Sequence, residues 1–181
     1  KNKRYLLFFG LVRDYKGLDI LLEAMKHPKL KALDIQLIIA GEYYSNREQY
    51  QTQLEQLKSE NRLVEVQTFI PDAEVKYFFS ATDLLVLPYK SATQSGVTQI
   101  AYHFNLPMLV TDVGGLKELC PPGKVGYVVE PKADEVAEAI VDFFESDKKP
   151  FFQQGIETEK KKYTWAILVQ TILDLKSKIK N

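Results

Sequence analysis

The stretch Tyr5-Leu-Leu-Phe-Phe-Gly10, continued by Leu11-Val-Arg13-Asp-Tyr-Lys16-Gly17, decides the fold class. Its first residues are apolar without alternation, so a strand there must be covered on both faces, as in a parallel sheet. Directly behind it Leu18, Leu21, Leu22 and Met25 fall at i, i+3, i+4 and i+7, one face of a helix. Pro28 stops that helix.

Outward from this unit the same order recurs. Ile35-Gln-Leu-Ile-Ile-Ala40 reads as a second strand, ended by Gly41. Ser45-Asn-Arg-Glu48 fits a capping box, and Tyr50, Leu54 and Leu57 stripe the helix behind it. Leu63 to Phe69 reads as the third strand, and Asp72 as the N-cap of a short helix with Val75, Phe78 and Phe79 inward. Asp83-Leu-Leu-Val-Leu-Pro88, Pro107-Met-Leu-Val-Thr111 and Gly126-Tyr-Val-Val129 supply three more strands. Between and after them Val97, Ile100, Ala101 and Phe104, then Val136, Ile140, Val141 and Phe144, make helical stripes. After a break at Lys148-Lys-Pro150, one helix leads to Trp165 and a last one carries Leu168, Ile172, Leu175 and Ile179. Six strands alternating with helices predict an α/β fold, a Rossmann-like, doubly wound six-stranded parallel sheet. Ligands of such sheets bind beyond the carboxyl ends of the strands, near the switch point, so the chemistry is sought in those loops.

Composition narrows the field. The 181 residues suit one domain, residues 1–181, and 45% of them are apolar, enough for a sizeable core. Lys and Arg (24) balance Asp and Glu (24), which argues against a nucleic-acid partner. The single Cys120 has no disulfide partner, so a reducing, cytoplasmic setting is expected. No apolar run approaches the roughly 18–20 residues that span a bilayer. Lys1-Asn-Lys-Arg4 enters the first strand with no leader, and the chain reads as a domain of something longer.

The loop Gly10–Gly17 carries two cations three residues apart, just ahead of a helix N-terminus. Such a group suits a diphosphate, although Arg13 and Lys16 also read as solvated loop charges. It matches neither G-x-G-x-x-G nor G-x-x-x-x-G-K-[ST]. The loop Pro88-Tyr-Lys-Ser-Ala-Thr93-Gln94-Ser95-Gly96-Val97 brings small hydroxyl residues and a glycine to another helix start, a phosphate nest or an ordinary N-cap. Thr111-Asp-Val-Gly114-Gly115 adds a tight turn on the same rim. His27 and His103 have no ligand-spaced partners, so no metal site is expected.

With these loops in place, the chain resembles the C-terminal domain of the group 1 retaining glycosyltransferases of the GT-B fold. Phe9-Gly10, Lys16-Gly17, Ile39-Ala40-Gly41, Asp83 to Pro88, Pro107, Gly114-Gly115, Glu118 and Gly126-Tyr-Val-Val-Glu-Pro131 occur in the family's order and spacing, and Tyr163-Thr-Trp165 looks similar to the start of its last helix. The resemblance implies a donor-binding lobe for a nucleotide diphosphate sugar, with an acceptor-binding N-terminal domain absent from this chain. It implies sugar transfer with retention, without metal or cofactor. Arg13 and Lys16 would then act on the donor diphosphate as catalytic cations. Gly10, Gly41, Phe69, Pro71, Gln94, Ser95, Gly96, Val97 and Gln99 would line the nucleotide-sugar site, the base lying near Phe69-Ile-Pro71. Any peripheral contact with the inner face of the membrane would fall to the absent lobe.

Two departures stand out. Leu11 occupies the position after the first-strand glycine where many members have arginine. The family's pair of glutamates, eight apart across the fourth-strand loop and its helix, has no counterpart, for no glutamate lies between Pro88 and Glu118. The candidate positions are Ala92 with Ile100 or Thr93 with Ala101, leaving Gln94 and Gln99 as neutral acceptors for hydroxyls. Two readings follow, an active subfamily variant or a non-catalytic nucleotide-binding or scaffolding domain. A flavodoxin-like or receiver-type domain explains the alternation too, but Asp14, Glu42 and Asp112 make a poor carboxylate trio for receiver chemistry.

Overall fold

A computed structural model describes residues 3–163 together with 167, 169, 170, 172–174 and 176. Six strands, β1 (Arg4–Phe9), β2 (Ile35–Ala40), β3 (Leu63–Val66), β4 (Leu84–Leu87), β5 (Met108–Thr111) and β6 (Gly126–Val129), form one sheet in the order β3-β2-β1-β4-β5-β6. Every neighbouring pair is parallel. This is the doubly wound order with its reversal between β1 and β4, and it differs from the flavodoxin-like order.

Side-chain alternation along the central strands builds two cores. Leu6, Phe8, Leu37, Ile39, Leu84 and Val86 face one layer, where α1 (Leu18–Ala24), α3 (Gln51–Ser59) and α7 (Ala133–Glu145) cover them. Leu7, Phe9, Ile38, Ala40, Leu85 and Leu87 face the other, covered by α4 (Asp72–Ala81), α5 (Gly96–His103) and α8 (Lys149–Glu159). Because consecutive residues of β1 go to opposite cores, the unbroken apolar run is required rather than incidental. Two short helices, α2 (Pro28–Ala32) and α6 (Leu116–Leu119), complete the set among the described residues.

Several boundaries differ from the sequence reading. Pro28 opens α2 at its first position, where the missing N–H costs nothing, and Pro150 does the same near the start of α8. Asn46, not Ser45, caps the turn Arg47–Tyr50, its Oδ1 accepting from Glu48 N at 3.0 Å. Asp72 is the first residue of α4 and Pro71 its N-cap. β3 stops at Val66, and Phe69 lies in the loop beyond it, 66% exposed. Of the last expected stripe, Ile172 is helical and exposed, while Leu168, Leu175 and Ile179 lie outside the described residues, as do Thr164 and Trp165.

Candidate functional site

From the two strands at the centre of the sheet the chain departs in opposite directions. β1 leads to α1 on one face and β4 leads to α5 on the other, which opens a crevice between their loops. Backbone contacts set the spacing of those loops. Gly17 has φ +68°, and a Cβ there would fall 1.9 Å from the Pro88 carbonyl oxygen, so only glycine lets the first loop lie on the end of β4. Lys90 N donates to the Tyr15 carbonyl at 2.7 Å, and Gly115 N donates to the Thr93 carbonyl at 3.2 Å. On the other side a Cβ on Gly41 would fall 2.2 Å from the Gly10 carbonyl oxygen, so the β2 loop also packs directly on the first loop.

Lys16 lies in this crevice. It is 8% exposed, and its ammonium comes 3.2 Å from where a Cβ on Gly10 would stand, with Val97 Cγ2 3.9 Å from the same point. Glycine at position 10 therefore makes room for the cation. Among the described residues no side chain or carbonyl hydrogen-bonds this ammonium and no carboxylate pairs with it. Its one neighbour of note is the Tyr89 ring, centred 5.8 Å away. Burial pushes the Lys16 ammonium down to about 8, and the nearby Arg13 charge pushes the same way. A buried cation with no counter-ion costs stability unless an anion arrives.

Arg13 is exposed, its guanidinium carbon 5.3 Å from the centre of the Tyr44 ring. Its charge is felt at Lys16, so two cations act on one region. Opposite them α5 presents its N-terminus. Ser95 is the N-cap residue but makes no side-chain cap bond, and its Oγ lies 3.2 Å from the Tyr89 hydroxyl. Beside Gly96 there is open space where a side chain would be. The first amides of a helix have no intrahelical acceptor, so this end offers N–H donors and partial positive charge.

The residues singled out from sequence separate into three groups. Gly10, Gly41, Lys16, Ser95, Gly96 and Val97 converge on the crevice. Gln94 and Gln99 are exposed, with no side-chain hydrogen bond among the described residues. Phe69 and Pro71 stand one strand further out, behind β3, where the bare Phe69 ring offers a flat apolar face. Tyr15, Tyr44 and Tyr89 escaped the sequence reading, although they surround the cations. Tyr15 packs edge-on against Tyr89 at 5.9 Å, and Thr111 Oγ1 anchors the Tyr89 carbonyl at 2.5 Å. Their only linear signal is a tyrosine beside a lysine in one loop and beside Pro88 in the other. Among the described residues no three His, Cys, Asp or Glu side chains gather closely enough to hold a metal ion. Asp112 is paired with Lys117 at 2.9 Å, well away from any receiver-like cluster.

Comparison with known proteins agrees with this fold. Residues 3–146 match the family described as Glycosyl transferases group 1. A D-inositol 3-phosphate glycosyltransferase of Pseudarthrobacter chlorophenolicus is 29% identical over 131 residues, covering 70% of this chain and 30% of its own length. A GDP-mannose:glycolipid 4-beta-D-mannosyltransferase of Xanthomonas campestris pv. campestris is 29% identical over 104 residues, covering 58% and 29% respectively. The crystal structure of HepE from Anabaena in complex with UDP superposes with a TM-score of 0.80 at 20% identity, over 98% of this chain and 49% of that one. A C-terminal domain of the group 1 family protein LpcC from Francisella tularensis gives 0.74 at 20% identity, over 90% and 87%. The chain thus spans under a third of these curated relatives and about half of HepE.

Proposed function

The chain belongs to the group 1 glycosyl transferases, and from that membership we propose that it is the donor-binding domain of such an enzyme. It holds a nucleotide diphosphate sugar, while a further N-terminal lobe of the full-length protein binds the acceptor. The observation that carries this is the Lys16 side chain, 8% exposed, whose ammonium stands beside Gly10 and the N-terminus of α5 with no hydrogen-bond or ion-pair partner among the described residues. A diphosphate satisfies all three at once: it neutralises the lysine, accepts from the helix amides and fits the space a side chain would fill. Arg13 extends the positive field towards the solvent side, and the exposed Phe69 ring offers the base a stacking face.

As the glycosidic bond breaks, negative charge grows on the leaving β-phosphate. Cations fixed in a poorly solvated crevice stabilise that charge more than they stabilise the ground state, which speeds departure. In this reading the cations replace a metal. Transfer with retention belongs to the same proposal and is supported by the ordered family motifs. No helix among the described residues is long and apolar enough to cross a membrane; contact with a lipid-linked acceptor is assigned in this proposal to the other lobe. The site of action proposed is the cytoplasm, with peripheral contact at the membrane's inner face.

Calorimetric titration with UDP, GDP and ADP tests the reading. Binding of at least one, weakened roughly tenfold or more in Lys16→Met, is expected; silence with all three at millimolar ligand overturns it. The lack of any glutamate between Pro88 and Glu118 favours a second reading, a domain that binds nucleotide without turnover. Donor hydrolysis by the full-length protein, abolished by Arg13→Ala, discards that second reading.

A further inference from the structure

Tyr89 is 2% exposed, yet its side chain touches both halves of the crevice. Its ring lies under the Lys16 ammonium and edge-on to Tyr15, and its hydroxyl meets Ser95 Oγ at 3.2 Å. Burial pushes that hydroxyl up to about 12, so it acts as a neutral hydrogen-bond partner. Its carbonyl is pinned by Thr111 Oγ1, which fixes where the side chain starts.

Ser95 is the other half of the arrangement. A serine at an N-cap ordinarily turns its oxygen onto the second or third amide of its helix, here Val97 or Thr98. Ser95 does not. Its Oγ is engaged with Tyr89, while its carbonyl accepts from Thr98 N at 3.2 Å and from Thr98 Oγ1 at 2.6 Å. The helix is therefore closed through its backbone, and the side chain that would occupy its leading donors is held elsewhere.

We propose that Tyr89 is a positioning residue for the diphosphate: its hydroxyl holds the Ser95 side chain off the start of α5, leaving the Gly96 and Val97 amides for the ligand, while its ring seats the Lys16 ammonium opposite. The inference rests on the donor-binding reading above and adds to it the residue that keeps the helix end open. It makes a helix cap and a phosphate competitors for the same N–H groups, with one phenol hydroxyl deciding between them.

The test is UDP titration of the wild type, Tyr89→Phe and Tyr89→Phe/Ser95→Ala, with amide NMR of the ligand-free proteins. Phenylalanine keeps the ring under Lys16 but frees Ser95 to cap its own helix. Affinity is expected to fall about fivefold in Tyr89→Phe, the size of one cap interaction. Removing the competing hydroxyl in Tyr89→Phe/Ser95→Ala is expected to recover most of that loss, which a loss of packing would not allow. Without ligand, the Val97 and Thr98 amides are expected to shift and exchange more slowly in Tyr89→Phe alone. Unchanged amides, undiminished affinity, or a double variant as weak as the single one would each overturn the role of Tyr89 while leaving UDP binding by the wild type intact. A wild type that binds none of UDP, GDP and ADP would instead strike the donor-binding reading, and the ligand-free amides would still judge the rotation of Ser95.

Discussion

Glu65 and Lys16 are both charged side chains buried near the carboxyl ends of strands in one sheet, and the fold treats them in opposite ways. The Glu65 carboxylate, 1% exposed, accepts from Arg47 Nε at 3.0 Å and Nη2 at 2.9 Å, from Tyr43 Oη at 2.8 Å, and pairs with Lys58 Nζ at 2.7 Å. Burial alone would raise its pKa, but the bonds from Arg47, Lys58 and Tyr43 outweigh burial and hold it at about 2. Lys16 is buried too, with no carboxylate in reach among the described residues, and its pKa moves towards the neutral form. The first charge is supplied with partners from within the chain; the second has none among the described residues. Glu65 therefore marks where the protein ties its β2 loop and α3 to β3, and in the donor-binding reading proposed above Lys16 is where the anion would bind.

The largest effect is expected from breaking the satisfied charge. Glu65→Gln leaves Arg47 and Lys58 without their anion, although both reach water in part, and is expected to lower stability by about 3 kcal/mol in urea unfolding. The pH dependence has a definite sign. A folded-state pKa of about 2 against an ordinary 4.5 means that the Glu65 contribution is complete above pH 4.5 and is lost as pH falls towards 2. The variant should lack that part of the acid transition. Equal stabilities of wild type and Glu65→Gln at neutral pH would break the comparison at its satisfied end.

Lys16→Met is expected to do the reverse. Removing an unpaired buried cation should stabilise the ligand-free protein by about 2 kcal/mol at pH 7. It should also weaken UDP binding by roughly tenfold or more, the worth of a charge-assisted bond. With a folded pKa near 8 and an ordinary value of 10.5, the penalty from Lys16 is complete below pH 8 and fades between 8 and 10.5. The advantage of the variant should therefore vanish over that window, while wild-type UDP affinity falls as pH rises past 8. Thermal melts at pH 7 and 10.5 measure the first effect, and titrations across the same range the second. A Lys16→Met protein less stable than wild type at pH 7 would mean that the ammonium already has a partner.

Sequence carried the sheet further than it carried the site. The alternation of Leu6 and Phe8 against Leu7 and Phe9 made a strand buried on both faces legible, because strand periodicity is a local property of the chain. Lys16 was legible as a cation behind a strand-end glycine, but its isolation was not. That depends on Gly10, Tyr89 and Val97 meeting at one point, and those positions span most of a hundred residues. Tyr89 looked like one more aromatic after a proline, and its role appears only once β4 is set beside β1. Local chemistry names candidates, and long-range pairing decides which of them are free to act.

The smallest expected effect probes the outer edge of the contrast, where neither burial nor a carboxylate decides the matter. Arg13 is exposed and stands 5.3 Å from the Tyr44 ring, a cation–π contact whose worth at an exposed site is only about 0.5 kcal/mol. Tyr44 sits on the β2 loop that Glu65 ties down through Tyr43 and Arg47, so the satisfied charge helps to place the ring that steadies one of the waiting cations. Tyr44→Leu should leave stability unchanged within error and weaken UDP about twofold, with the loss shrinking as salt rises, because Arg13 then works through an increasingly screened field. Glu65→Gln should reproduce that small affinity loss on top of its stability defect. If Tyr44→Leu binds as well as wild type while Glu65→Gln does not, the β2 loop acts through some contact other than this ring. If both bind as well as wild type, the two buried charges are independent, and the β2 loop matters to folding alone.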